Sequence, residues 1–538
     1  MRNWLFVSFL VIVASMLIFV SCGKAEPATT AAKTAQTTAA QTTAAKTTTP
    51  PIAISTKTPE PTITGEKVVK GGILKRINTT GPTNIGYPPG GSVDVMTLER
   101  LLITDIKGYP TPQLAESWDL DPVNKTLVWH IRKGIKFSDG TIFDAKALKW
   151  NFEAYTKGGR MTYPTYIKSY EILDDYTLKM NLNDVNNQLI FNWGFVAMMS
   201  PTAFEKYGAD WCRENVVTTA PYICTSFKRD ALLTFVKNPD YWDKGYPYMD
   251  GYELKVIPDD MVCSGLMQTG DADVWATSSA QFATDLEKKG FKVRYQTAGI
   301  LSCLLFDSAK QGSPFANKLV REAVEYALDR PAMAKMFGYG TYEPATQMTC
   351  RGVPGYIDNF DPRAYNPEKA KALLAQAGLS KIKTTLLTVS SSSDQAAYIK
   401  AALAKVGIEV DVDLADNARY RTAWTQGWQG LLLTGAGINP NGSSILTHFG
   451  PTPQTFRSGF EYKSPEYLKK CNDMLFVYTN EKYDAACQAV TRQASDDAMA
   501  IPIYFSKPAV VYQPYVHTTM GITSTSDYNP KADWMEAH

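Results

Sequence analysis

Cys22 is the first residue along the chain with a distinctive chemistry. It closes an uncharged apolar run, Trp4 to Val20, headed by Arg2 and followed by the small Ser21. A small residue lets a peptidase reach the backbone, and a cysteine just past the cut offers a thiol for thioether attachment to lipid. The run is marginal for a bilayer span. An uncleaved anchor with an incidental thiol is the rival reading; a removed signal and a lipidated Cys22 is the expected one. The chain has eight cysteines and four histidines. Cys212, Cys224, Cys263, Cys303, Cys350, Cys471 and Cys487 are scattered, none in CxxC spacing, and their odd number leaves at least one free thiol. His130, His448, His517 and His538 do not sit at metal-ligand spacing. There is no phosphate loop, GxGxxG, HExxH or GxSxG. No catalytic residue, metal or cofactor is expected.

Phe19-Val20-Ser21-Cys22 resembles a bacterial lipobox, with Phe19 where leucine is usual. Residues 23 to about 66 are Thr/Ala/Pro-rich and lack aromatics, so burial could not offset the ordering entropy. They are expected to be a disordered spacer that holds a folded body off a membrane. Beyond them about 470 residues remain, enough for two or three domains. Charge is balanced at +2, which leaves no nucleic-acid footprint. The chain is rich in aromatics, with 29 tyrosines, 22 phenylalanines and 11 tryptophans; some belong to the core, and an excess can line a site for peptides or sugars.

Several elements must position any site. Lys75 and Ile77 after Gly71-Gly72 indicate a first strand. Leu127, Trp129 and Ile131 alternate as in a half-buried strand. Asp144 is placed to cap a helix with Leu148, Phe152 and Tyr155 on one face. Ser313-Pro314 begins a helix whose stripe is Phe315, Leu319, Val320, Ala323, Val324, Ala327 and Leu328. Asn366-Pro367 begins another, stopped by Gly378. From 381 to 414, a strand (Ile382, Thr384, Leu386, Thr388), a helix (Ile399, Leu403, Val406) and a strand (Ile408, Val410, Val412, Leu414) form a βαβ crossover, hence parallel strands. The acids Glu409, Asp411 and Asp413 between the last apolar residues read as a solvated face. Open α/β sheets of this kind bind ligands at the carboxyl ends of their strands.

"PQLAESW" (112–118) followed by "LVWHIRKGIKFSDGTIFDAKALKWNF" resembles the signature of the large peptide/nickel-type solute-binding proteins of ABC importers, solute-binding family 5. "NPDYW" (238–242), "LMQTGDADV" (266–274), "LVREAVEYALDR" (319–330), "YNPEKAKALLAQAG" (365–378) and "IPIYFSKPAVVYQPYV" (501–516) follow in the family's order. The resemblance implies an α/β, two-lobed periplasmic-binding-protein-like clamshell of type II, the large three-subdomain variant, with mixed sheets and a hinge. It divides the chain into a signal peptide (1–21), a linker (22–66), lobe I (67–100, 201–304 and 506–538), an inserted subdomain (101–200) and lobe II (305–505). Trp118, Trp129, Tyr241 and Trp242 belong to its motifs and are expected to be structural; Trp424 and Trp428 are expected to pack.

The resemblance also implies a lipid-anchored, extracytoplasmic monomer that traps a solute by closure and delivers it to an ABC permease. Dipeptide and oligopeptide binders of the family carry Thr-Gly-Asp-Asn-Gly-Asp-Pro, whose first aspartate pairs with the ligand ammonium. Thr434-Gly435-Ala436-Gly437-Ile438-Asn439-Pro440 is the matching run here, with Ala436 in the aspartate's place and Leu433 where an aromatic often stands. A buried unpaired ammonium is costly, so peptide, oligosaccharide and other neutral solutes all stay open. Expected lining residues are Tyr87 after the first strand, Trp275, Thr277 and Ser278 after "DADV", and Leu433, Gly435, Ala436, Gly437 and Asn439. A core role is the alternative for Trp275. Two other function classes are a surface-anchored hydrolase using paired carboxylates and a ligand sensor.

Overall fold

The computed structural model describes residues 68–86, 98–105, 108–159, 161, 164–451, 460–521, 528 and 530–537. Cys22, the signal segment, the linker and Tyr87 lie outside them. Residues Pro50–His538 form one compact unit, and five clusters of buried apolar side chains lie within it.

Three sheets organise this unit. The first has seven strands, in the order Lys292–Tyr295, Ala509–Tyr512, Val274–Thr277, Ile73–Asn78, Gly251–Val256, Leu232–Lys237 and Tyr222–Lys228. Ile73–Asn78 lies at its centre, parallel to both neighbours. Gly71 and Gly72, both at positive φ, turn the chain into it. The second sheet has six strands, in the order Glu343–Pro344, Ala500–Ser506, Ile300–Phe306, Leu431–Gly437, Ile382–Val389 and Ile408–Ala415. A four-stranded antiparallel sheet of Ala115–Asp121, Thr126–Ile131, Thr177–Leu182 and Ile167–Asp174 forms from chain between two strands of the first sheet.

The local reasons match the residues. Leu127, Trp129 and Ile131 are buried while their neighbours are half-exposed. Asp144 accepts from the Ala147 amide and caps Ala145–Lys157, which buries Leu148 and Phe152. Asn366 caps Pro367–Gln376 in the same way, and Gly378 stops it at φ +74. The crossover is present as Ile382–Val389, Ser393–Ala404 and Ile408–Ala415, with Ile382 paired to Ile408 in parallel register. Its alternation fails at one end. Ile408 and Val410 are buried, but Leu414 is 45% exposed, because this strand is the sheet's edge and Ala415 turns inward instead. Asp413, on the acidic face, is held by both Arg419 nitrogens.

The helix expected from Ser313 to Arg330 is two pieces, and a further helix starts where it was expected to end. Ser313 caps a single turn, Pro314–Ala316; Asn317, in extended conformation, caps Lys318–Tyr326; Asp329 caps Arg330–Gly338. Arg321 explains the first break, since its guanidinium binds the carbonyls of Phe315, Ala316, Asp497 and Ala498. Glu325 lies between Arg330 (3.0 Å) and Arg363 (2.6 Å), all three buried. The charges of "LVREAVEYALDR" therefore hold this half together rather than face solvent.

The chain passes between the first and second sheets at two adjacent places. Lys292–Tyr295 continues into Ile300–Phe306, and Ala500–Ser506 continues into Ala509–Tyr512. The partners stay paired on both sides, Tyr295 with Ala509 and Ile300 with Ser506. Between them the Gln296 amide donates to the Pro508 carbonyl at 3.0 Å. A Cβ on Gly299 would lie 2.5 Å from the Ser506 carbonyl oxygen, so only glycine fits between the two passes. The first change of sheet falls between Tyr295 and Ile300, ahead of the boundary expected at 304, because the hydrophobic run Ile300–Phe306 is already a strand of the second sheet.

Candidate solute cleft

The Val274–Thr277 strand ends at a helix start. The Thr277 hydroxyl accepts from the Ser279 amide at 3.0 Å, and Ser279 caps Ala280–Lys288. Ser278, between them, is exposed, whereas Thr277 is buried in the turn. Trp275 does not line a cleft. It is fully buried with Cys263, Met267, Leu286 and Val511 under the first sheet, because strand alternation turns its ring to the side that the helices cover.

The run 433–440 leaves the second sheet at its pairing with the sheet-to-sheet passage. Gly437 pairs with Ile300 and Ala436 with Leu301, and the Ile438 amide donates to the Gly299 carbonyl at 3.0 Å. The glycines at 435 and 437 are exposed. Asn439 donates from Nδ2 to the Ser443 hydroxyl at 3.0 Å, and its amide bonds Ser444. His448 Nε2 lies 3.0 Å from the Gly437 carbonyl. Leu433 and Ala436 are corrections to the expected lining. Leu433 packs with Leu431 and Ile501 on one face of the sheet, and Ala436 packs with Leu432, Cys303 and Phe449 on the other. Their side chains meet cores, since a central strand is covered on both faces. What the loop exposes is largely backbone.

Three positions that carried no signal in the sequence tie the four-stranded sheet's region to the rest. A Cβ on Gly108 would overlap the Pro440 carbonyl, so the turn before Tyr109 touches the 433–440 loop directly. Asn187 donates from Nδ2 to the carbonyls of Met474 (2.7 Å) and Val477 (2.8 Å), and its amide donates to Leu475 (2.9 Å). It adds donors at the C-terminal end of the helix Pro465–Leu475, where the Phe476 amide also donates to the Asp473 and Met474 carbonyls. Tyr109, Pro110, Ile190 and Phe191 face Val477 and Tyr478 across a groove of about 620 Å³, counting the solvent at its mouth.

The third is Glu99, 2% exposed. Its carboxylate accepts from the Tyr241 hydroxyl (2.6 Å), the Thr219 hydroxyl (2.8 Å) and Trp242 Nε1 (3.0 Å). Burial pushes it up to about 7, against the pull of those three donors. "NPDYW" thus serves a buried acid, which fits the structural role expected of Tyr241 and Trp242. Trp242, half-buried, also has the Arg132 guanidinium 5.4 Å and the Lys531 ammonium 6.0 Å from its ring centre. Asp273 of "GDADV" is likewise structural: it accepts from the Lys75 amide and the Tyr515 hydroxyl, both at 2.7 Å, joining the first strand to the C-terminal return. All seven described cysteines are free thiols, and six are buried.

Two differently ordered sheets joined by a double-strand passage, with strand ends and loops gathered at the junction, define a two-lobed binding protein. The family model for bacterial extracellular solute-binding proteins, family 5, matches residues 109–455. The chain belongs to that family. The glutathione-binding proteins GsiB of Escherichia coli K12 and Shigella flexneri are each 31% identical over 324 residues, 58% of this chain and 62% of theirs. The match therefore spans less than two thirds of those relatives. Among solved structures, Helicobacter pylori DppA in complex with the peptide STSA superposes with a TM-score of 0.73 at 23% identity, covering 87% of this chain and 99% of that one. Brucella suis NikA with Fe(III)-EDTA gives 0.75 at 20%, covering 86% and 100%. AgaA of A. tumefaciens R10 with agropinic acid gives 0.72 at 22%, covering 87% and 99%. These likenesses show that the fold is the periplasmic-binding-protein clamshell.

Proposed function

We infer that this protein captures an organic solute between its lobes, without altering it, and presents the closed form to an ABC permease in the membrane. The carrying observation is the double-strand passage: two antiparallel segments, pinned by Gln296–Pro508 and spaced by Gly299, let two rigid sheets rotate about one line. A solute that bridges the lobes only when they close shifts the equilibrium toward closure. The first sheet is then lobe I, the four-stranded sheet its inserted subdomain and the six-stranded sheet lobe II. Lipid on Cys22, outside the cytoplasm, keeps the binder near its permease. Ser278, Gly435, Gly437 and Asn439 are the described residues assigned to the cleft.

The solute class follows from an absence of acid. No aspartate or glutamate occurs between Asp416 and Glu461, while Arg419, Arg421, His448 and Arg457 do. The loop therefore supplies no carboxylate in any register, and a free α-ammonium would be desolvated without a partner from it. Neutral or carboxylate-bearing solutes are favoured over dipeptides with free amino termini. The named ligands of the relatives, glutathione, a peptide, agropinic acid and a metal chelate, define the set to test. A thermal-shift screen decides, because a solute bound only by the folded state raises the midpoint. The expected result is stabilisation by acidic or N-blocked compounds; the largest shift from free-N-terminal dipeptides would overturn the class, and turnover of any of them would overturn the binding role.

A further inference from the structure

A basic groove is lined by none of the residues assigned to the cleft. Lys133, Lys136 and Lys244 are exposed and form no ion pair among the described residues; with Arg132 and Trp242 they line about 940 Å³, counting the open mouth. Glu116 and Asp240 also line it, and neither closes an ion pair with the lysines. The chain as a whole is nearly neutral, at +2, so the positive charge here is a local concentration. Trp242, half-buried, is fixed by its bond to Glu99, and the Arg132 guanidinium lies 5.4 Å from its ring centre.

The groove's position matters most. The chain that runs back to Cys22 enters the folded body at residues 68–72, against the segment 244–248. Lys70 Nζ donates to the Gly245 carbonyl at 3.2 Å and lies 5.6 Å from the Tyr248 ring, and the Gly71 amide donates to the Tyr248 carbonyl. Lys244 thus belongs both to the groove and to the stretch where the tether departs. We propose that this groove is a membrane-facing surface that binds the headgroups of anionic phospholipids. Exposed lysines with aromatic rings at their side suit a phospholipid interface, where acidic lipid attracts the charge and amphipathic rings sit at headgroup level. Only about 45 residues separate Cys22 from Val68, so a lipid on Cys22 would keep the body near the bilayer and weak affinity suffices to seat this face on it. The diacylglyceryl group that a lipobox cysteine takes anchors by itself, so the groove would orient the body on the surface rather than hold it there. The orientation rests on the reading of Cys22 as the lipid site; the groove's affinity does not.

The test uses the compact unit, residues 50–538, without lipid, sedimented with phosphatidylcholine vesicles containing or lacking phosphatidylglycerol. Partitioning is expected to be about tenfold stronger on the acidic vesicles at low salt and to fall about tenfold at physiological salt. The triple variant Lys133→Glu, Lys136→Glu, Lys244→Glu should abolish the difference while keeping the wild-type melting temperature and solute-induced shift. Lys136→Gln with Lys244→Gln, which disturbs folding less, should weaken it severalfold. Equal partitioning on both vesicles, or none at low salt, overturns the proposal. So does retention only on vesicles that carry the permease, which would give the groove to that protein. Failure of Cys22 to accept lipid in cells, with acidic-vesicle binding intact, would sink the anchor reading and leave the groove's assignment standing.

Discussion

Glu99 shows what one residue can decide. Its carboxyl stands at about 7 in the folded protein against an ordinary 4.5. A raised carboxyl contributes stability that is fully present below its unfolded value and is lost as pH rises through the folded one. The protein should therefore weaken between about pH 4.5 and 7, by up to about 3 kcal/mol from this site. Burial also lifts Asp533, to about 6, so part of any such fall belongs to it. Glu99→Gln isolates this contribution: the Tyr241 and Thr219 hydroxyls can each donate or accept, so the amide is accommodated. Urea midpoints of the variant should change less between pH 5 and 8 than those of the wild type. An unchanged pH dependence would mean that Glu99 does not titrate there. Nothing in the sequence singles out Glu99, because a lone acid before a strand has no pattern; the three donors that define it arrive from residues 219 to 242.

Among elements, the join of Asn187 to the Pro465–Leu475 helix is one contact that links the four-stranded region to the part of the chain built on the six-stranded sheet. Asn187→Ala removes two side-chain bonds to buried carbonyls and should cost about 1–3 kcal/mol. Amide exchange should accelerate at Gln188–Gly194 and at 475–478, while strands of the first sheet keep their protection. Uniform acceleration would show instead that the whole unit had weakened. The crossover at 381–414 needed no such partner to be read, since its period alternates within one stretch of chain. Leu414 broke that pattern because exposure at an edge depends on what covers it. The two-piece helix at 313–326 shows the same limit: the apolar stripe was visible, but Arg321 interrupts it by binding carbonyls from Ala498 and Asp497, far along the chain.

At the scale of the molecule, motion should pass through residues 295–300 and 506–509. Gly299→Ala drives a Cβ onto the Ser506 carbonyl and should destabilise by about 1–3 kcal/mol. It should also weaken affinity for any solute found by thermal shift. If affinity and stability both remain at wild-type values, the two strands do not form the axis of closure.

Sequence by itself determined the family, the α/β class, the parallel crossover and the helix caps Asp144 and Asn366. These follow from short-range periods and from motifs whose residues are neighbours in the chain, so no long-range contact is needed to read them. Tertiary structure decided which motif residues face a core. Trp275, Leu433 and Ala436 were placed by loop position, yet their strands are covered on the side to which those side chains turn. It also decided where the chain passes from one sheet to the other, what Glu99 and Asn187 hold together, and that Lys133 and Lys136 meet Lys244 in one groove. Those facts depend on segments a hundred or more residues apart coming into contact, and no local period encodes which segments those are.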